Sequence, residues 1–151
     1  MKLRGILIPT GFAEEGMRVH DVFKLCVDAG VPAVPFRDGS GKVTGYVSLN
    51  GVMHRGCIPN YMVELAHILG NTMSCVSDAE NKVKEVMANP IEPYVQSPLR
   101  SISSDAPIIK VLAILEKYGS SYLFIFDGDS YRGIVTADGI ARRMLEIDTE
   151  R

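Results

Sequence analysis

Val19, Val22, Phe23, Cys26 and Val27 recur at i, i+3, i+4, i+7 and i+8, the single stripe of an amphipathic helix. Gly30 follows as its stop. The period then changes. Val31 to Phe36 is a short apolar run, and Pro32 and Pro35 mark it as an edge strand or irregular wall rather than a central strand. Arg37-Asp38-Gly39-Ser40-Gly41 reads as a hairpin turn, with KVTGYVSL, Lys42 to Leu49, as the returning strand. Ser48 or Asn50 then caps a helix to about His54. Ahead of all this, Ile6 to Ile8 predicts a short β segment closed by Pro9, and Thr10 to Met17 a loop.

The middle of the chain is helical in pattern. Pro59 to Leu69 carries Met62, Leu65, Ala66 and Leu69 on one side, and Gly70-Asn71 ends it. Asp78 to Met87 predicts a helix with Val83, Val86 and Met87 on one face and Glu80, Lys82, Lys84 and Glu85 exposed. Asn89-Pro90 stops it, and Pro90, Pro93 and Pro98 hold an extended connector. The opening pattern then returns. Ser101 to Ser103 is a short β segment, Ser104 or Asp105 caps a helix, and Pro107 sits in its first turn. Ile108, Val111, Leu112 and Leu115 form the stripe, and Gly119 stops it. Tyr122 to Phe126 and Tyr131 to Val135 are strands joined by the turn Asp127 to Ser130. Thr136 or Asp138 starts a last helix, Gly139 to Ile147.

Two stretches echo each other: GYVSLNGVMHR, Gly45 to Arg55, and GIVTADGIARR, Gly133 to Arg143. Val22 and Val111, like Gly30 and Gly119, are 89 residues apart; Gly45 and Gly133, like Ser48 and Thr136, are 88 apart. The one lost residue falls in the hairpin turn, where loss is tolerated best. Each half therefore reads β–α–β–β–α, and neither is large enough to bury both its sheet and its helices alone. The expected fold is α+β, with two tandem repeats packed in pseudo-twofold symmetry. Residues 1–58 form the first repeat, 59–89 a helical linker or insert, and 90–151 the second.

Composition narrows the function. With 46% hydrophobic and 23% charged residues in a chain of 151, a soluble core without staples is expected. A net charge of −2 with scattered signs lacks the basic face that nucleic acid requires. Cys26, Cys57 and Cys75 make an odd set with no CxxC pair, which favours a reducing cytoplasm over disulfides or zinc. His20, His54 and His67 have no ligand spacing, so no metal is expected. The apolar step in MKLRGILIPTGF is too short for a signal segment, and no run is long enough to span a membrane.

Helix, glycine, apolar strand, Asp-Gly turn, Gly-x-x-Thr/Ser and helix is the pattern of the cystathionine-β-synthase (CBS) domain. The likeness is strongest from Ser101 to Met144, and good from Val19 to Met53, where GVPAVPF resembles the family's apolar-x-x-apolar-Pro wall. VKEVMANP, Val83 to Pro90, resembles the element that commonly leads into a repeat; residues 1–10 and 61–77 fit poorly and read as additions. Two tandem copies resemble a CBS pair, or Bateman module. The resemblance implies a stand-alone regulatory module that does no chemistry and needs no cofactor. Such modules sense a small ligand between the repeats, commonly AMP, ADP, ATP or S-adenosylmethionine, and form flat homodimers. With no effector domain in the sequence, the output would pass to a partner protein.

The resemblance places the ligand at named positions. Thr136 and Ser48, each at a strand end before a helix, offer a hydroxyl beside free N–H groups and the positive end of the helix dipole, a reasonable phosphate seat. Val31, Pro32, Val34 and Pro35 offer a flat wall for an adenine, with Ser101, Ser103 and Tyr122 as further contacts. Arg142, Arg143, His54 and Arg55 stand where they could meet phosphates, or simply complement the helix ends. One feature departs from the family. The acid that holds ribose, six residues after the glycine, is here Gly51 and Gly139. Asp138 and its counterpart Asn50 lie one residue early, about 100° around a helix, and serve either the ribose or the cap. The missing acids also fit a pure dimerisation module that binds no ligand, with the methionines as core and interface filler. Catalysis is the remotest reading. Cys26 lies on an apolar stripe, and only Cys57, after His54 and Arg55, resembles an activated thiol.

Overall fold

The computed structural model describes residues 2–57 and 79–150. The expected Pro59–Leu69 helix, with Met62 and His67, as well as Met73, Cys75 and the side chain of Cys57, lie outside the described residues. The first half runs β1 (Ala13–Glu14), α1 (Val19–Ala29), β2 (Ala33–Arg37), β3 (Val43–Ser48) and α2 (Leu49–Cys57). α3 (Ala79–Ala88) and a 3-10 turn at Glu92–Tyr94 lead into the second half. That half is β4 (Ser101–Ile102), α4 (Ile108–Tyr118), β5 (Tyr122–Asp127), β6 (Ser130–Thr136) and α5 (Ala137–Thr149). Both halves are β–α–β–β–α, and the fold is α+β.

Each half folds into a three-stranded sheet with the same order, β1-β2-β3 and β4-β5-β6. In each the short first strand is parallel to the second, and the second is antiparallel to the third. Ala13 stands opposite Phe36, and Ser101 opposite Phe124. The helix stops are equivalent too: Gly30 and Gly119 take left-handed φ values of 68° and 58°, a conformation that costs glycine nothing.

The halves are stitched together by exchanged segments. Ile8, ahead of β1, bridges Ile134 in the second sheet, and Gln96, ahead of β4, bridges Tyr46 in the first. Each bridge has two backbone hydrogen bonds of 2.8–2.9 Å. Ile8 and Gln96 are 88 residues apart, as are Tyr46 and Ile134, so the two crossings are symmetry mates.

The sheets meet through a seam of aromatic rings. Tyr46 lies 5.8 Å from Phe124 and 6.4 Å from Tyr122, centroid to centroid. Phe124 and Ile134 share a core with Val22, Val34, Val47 and Val52 of the first half. Leu123, Ile125 and Val135 turn the other way, onto Val111, Leu115 and Ile140 of their own helices and onto Leu3 and Ile6 of the N-terminal segment. α3 packs on both α1 and α2.

Several local expectations are corrected. β1 lies inside the stretch expected to be loop, while Ile6 to Ile8 contributes only the bridge at Ile8. A two-residue strand has no alternation to betray it. β2 is the central strand despite Pro35. It tolerates the proline because its outer neighbour reaches only Phe36 and Arg37, leaving Pro35 beyond that ladder. Neither Ser104 nor Asp105 caps α4. Its N-cap is Pro107, while Ser104 donates its N–H and hydroxyl to the Asp127 carboxylate at 2.9 and 2.7 Å. The apolar stripes are also narrower than their periodicity: Val27, Val83 and Leu112 are exposed.

Candidate functional site

The N-terminus of α5 and the C-terminus of α1 face each other across the boundary between the halves. Between them is an open cleft of about 440 Å³, lined from the first half by Cys26, Val27, Gly30, Val31, Pro32 and Leu49, and from the second by Ser121, Thr136, Ala137 and Asp138. Four of the expected ligand residues, Val31, Pro32, Thr136 and Asp138, thus meet at one place although they come from opposite repeats.

The local chemistry follows from how the α5 terminus is capped. Thr136 is buried, and its hydroxyl oxygen accepts the Gly139 N–H at 3.0 Å, the side-chain cap expected of such a residue. The Ala137 N–H donates to the Ser121 carbonyl at 2.8 Å. These two bonds leave the Asp138 N–H as the first-turn donor that neither takes up, together with the proton of the Thr136 hydroxyl, at the positive end of a 13-residue helix. The Asp138 carboxylate points to solvent and accepts from Arg142 Nε at 2.7 Å, which offsets its charge. On the opposite wall, Val27 is 68% exposed, an apolar contact for a flat ring. Cys26 lies beneath it, and burial pushes its thiol up to about 11, so the sulfur stays protonated at neutral pH.

The other expected residues are placed elsewhere. Val34 and Pro35 are fully buried in the core. Ser101 lines a separate groove of about 800 Å³ between the two hairpin turns, and the Ser103 hydroxyl donates to Asp105. Tyr122 lines a small cavity of about 40 Å³ with Tyr46, Pro98 and Tyr118; burial, then the nearby Tyr46, push its phenol up to about 12, against a hydrogen bond with Ser48. Arg143 pairs with Glu146 and Glu150. Asn50, His54 and Arg55 are exposed on α2. Ser48 is buried and caps α2, accepting the Gly51 N–H at 2.9 Å.

Gly51 and Gly139 lie close against the crossing segments. A Cβ on Gly139 would lie 3.2 Å from Thr136 Oγ1 and 3.3 Å from Ile6 Cγ2. A Cβ on Gly51 would lie 2.8 Å from both Ser48 Oγ and Gln96 Oε1. In both halves a side chain of the crossing segment lies against this glycine. Ser121 was within reach of sequence reasoning, being 89 residues from Pro32. Ile6 and Gln96 were not, because their positions depend on the strand exchange.

Comparison with known proteins bears on the fold. Residues 83–146 match the sequence model of the CBS domain. No curated protein sequence matches the chain. Among solved structures, the chain is similar to the CBS domain of a CBS domain-containing membrane protein from Sphaerobacter thermophilus, with a TM-score of 0.65 at 17% identity over 94% of this chain and 86% of that one. It is similar to a CBS domain-containing protein of unknown function from Kribbella flavida, with a TM-score of 0.63 at 14% identity over 95% and 99%. It is also similar to the CBS domain pair of protein MJ0100 in complex with 5′-methylthioadenosine and S-adenosyl-L-methionine, with a TM-score of 0.62 at 19% identity over 95% of each chain.

Proposed function

We propose, on the premise that residues 83–146 are a CBS domain and the whole chain folds as a CBS-domain pair, that this protein is a regulatory module sensing an adenine-containing ligand. The candidates are AMP, ADP, ATP and S-adenosylmethionine. One observation carries this reading: the cleft that brings Val31 and Pro32 together with Thr136 and Asp138. The adenine lies against Val27, Val31 and Pro32, and the anionic or polar end meets the Asp138 N–H and the Thr136 hydroxyl. Without an acid at position 139, the ribose is held by Asp138 or by main-chain groups. The module performs no chemistry; it works in the cytoplasm and passes its signal to a partner protein.

A ligand present at 100 times its Kd stabilises the fold by about 2.7 kcal/mol. Millimolar amounts of at least one of the four compounds therefore raise the Tm, and Thr136→Ala abolishes that rise. A Tm indifferent to all four, or a rise that survives Thr136→Ala, would contradict the reading.

A second reading has its own observation. Ile109, Leu112, Met144 and Leu145 are exposed on α4 and α5, the helix pair equivalent to the one that α3 covers in the first half. Such a face suits a homodimer, with or without ligand. Light scattering of the purified protein gives a dimer on this reading, and Leu145→Glu shifts it to monomer.

A further inference from the structure

The two halves carry the same capped helix start but treat it differently. At Thr136 the crossing segment brings apolar Ile6 and Ile8. At Ser48 it brings Gln96, the counterpart of Ile8. The Gln96 backbone pairs with Tyr46 through bonds of 2.9 and 2.8 Å. Its side-chain Oε1 then accepts the Ser48 hydroxyl proton at 3.2 Å, while the Ser48 oxygen accepts the Gly51 N–H at 2.9 Å. Both the proton and an acceptor site of Ser48 are therefore engaged inside the chain. The Thr136 oxygen likewise accepts an N–H, at 3.0 Å, but the residue at the place equivalent to Gln96 is the apolar Ile8. Gly51 leaves room for this amide, since a Cβ there would lie 2.8 Å from Gln96 Oε1.

We infer that Gln96 is an internal stand-in for a ligand's polar end, closing the Ser48 seat so that the module offers one ligand site per chain, at Thr136, instead of two. The inference rests on the ligand-sensing reading for its stoichiometry, but not for the closure. A hydroxyl already bonded to a rigid, main-chain-anchored amide gains little by exchanging it for a ligand atom. Gln96 thus decides which of two equivalent helix starts recognises the ligand.

Two measurements test it. Titration calorimetry with ATP, AMP and S-adenosylmethionine should give one site per chain. Ser48→Ala should leave the Kd within about twofold, whereas Thr136→Ala weakens it at least tenfold, roughly the loss of one hydrogen bond. Two sites per chain, or equal weakening by the two substitutions, would overturn the inference. Thermal denaturation of Ser48→Ala, Gln96→Ala and the double variant needs no ligand. Each single change should lower the Tm by about 2–4 °C, and the double variant should fall little further. Additive losses would mean that Gln96 does not hold the seat, whatever the titration shows. If no compound binds but the losses are non-additive, the ligand reading fails while the closure stands.

Discussion

Gly45 and Gly133 are glycines because a crossing backbone passes over each of them. A Cβ at Gly45 would sit 2.3 Å from the Gln96 carbonyl oxygen, and one at Gly133, whose φ is +146°, 2.5 Å from that of Ile8. Neither obstacle is a flexible side-chain end. Gly45→Ala and Gly133→Ala should each cost about 2–3 kcal/mol in urea denaturation. Gly41→Ala and Gly128→Ala, at turns with open space around them, should cost only about 1 kcal/mol, from backbone conformation alone. The sequence displayed these glycines as a repeated motif, but their cause is a contact between residues half a chain apart, which no local pattern encodes. The half-buried phenols of Tyr122 and Tyr131 and the buried thiol of Cys26 make a second prediction at this scale. Burial pushes Cys26 up from 9.0 to about 11, and Tyr122 and Tyr131 from 10.0 to about 12. Each folded value lies above the unfolded one, so their contribution to stability is complete below about pH 9 and is lost as pH rises through 11 and 12. The Tm should fall over that range, and peptide-level alkylation at pH 8 should spare Cys26 until the protein unfolds.

At the level of elements, periodicity located α1, α4 and the two hairpins well, because each puts residues such as Val19, Val22 and Cys26 on one buried line. It failed where packing overrides pattern. β1 is too short to alternate, and Pro35 sits in a central strand that its rule disfavours. α3 shows how unequally a stripe is used: Val86 is 3% exposed and Val83 50%. Val86 and the following Ile91 join the core of the first repeat, not of the second into which they lead. Ile91→Ala should therefore cost about 2–5 kcal/mol, and Val83→Ala less than about 0.5 kcal/mol, measured by chemical denaturation. The reverse ranking would mean that α3 is not the cover of α1 and α2.

For the molecule as a whole, the 88-residue echo between Gly45 and Gly133 was enough to read a duplicated fold. It did not reveal that the repeats exchange their leading segments, so that Ile8 and Gln96 each complete the other half's sheet. Across the same boundary, the cleft brings Val31 and Pro32 of one repeat together with Thr136 and Asp138 of the other. The crossing segments also set a side chain against each helix-start glycine, Ile6 beside Gly139 and Gln96 beside Gly51. Val34 and Pro35 are buried in the core, Ser101 lines the hairpin groove and the Ser103 hydroxyl bonds Asp105, so none of the four lines this cleft. The most direct test of the central claim is the amide NMR spectrum of the labelled protein, with and without millimolar AMP, ADP, ATP and S-adenosylmethionine in turn. For at least one of them, perturbations should concentrate at Val31, Ser121, Asp138 and Gly139, with the signals of Asn50 and Gly51 unmoved. Perturbations centred on the hairpin groove around Lys42 and Gly128, or none with any of the four, would contradict it.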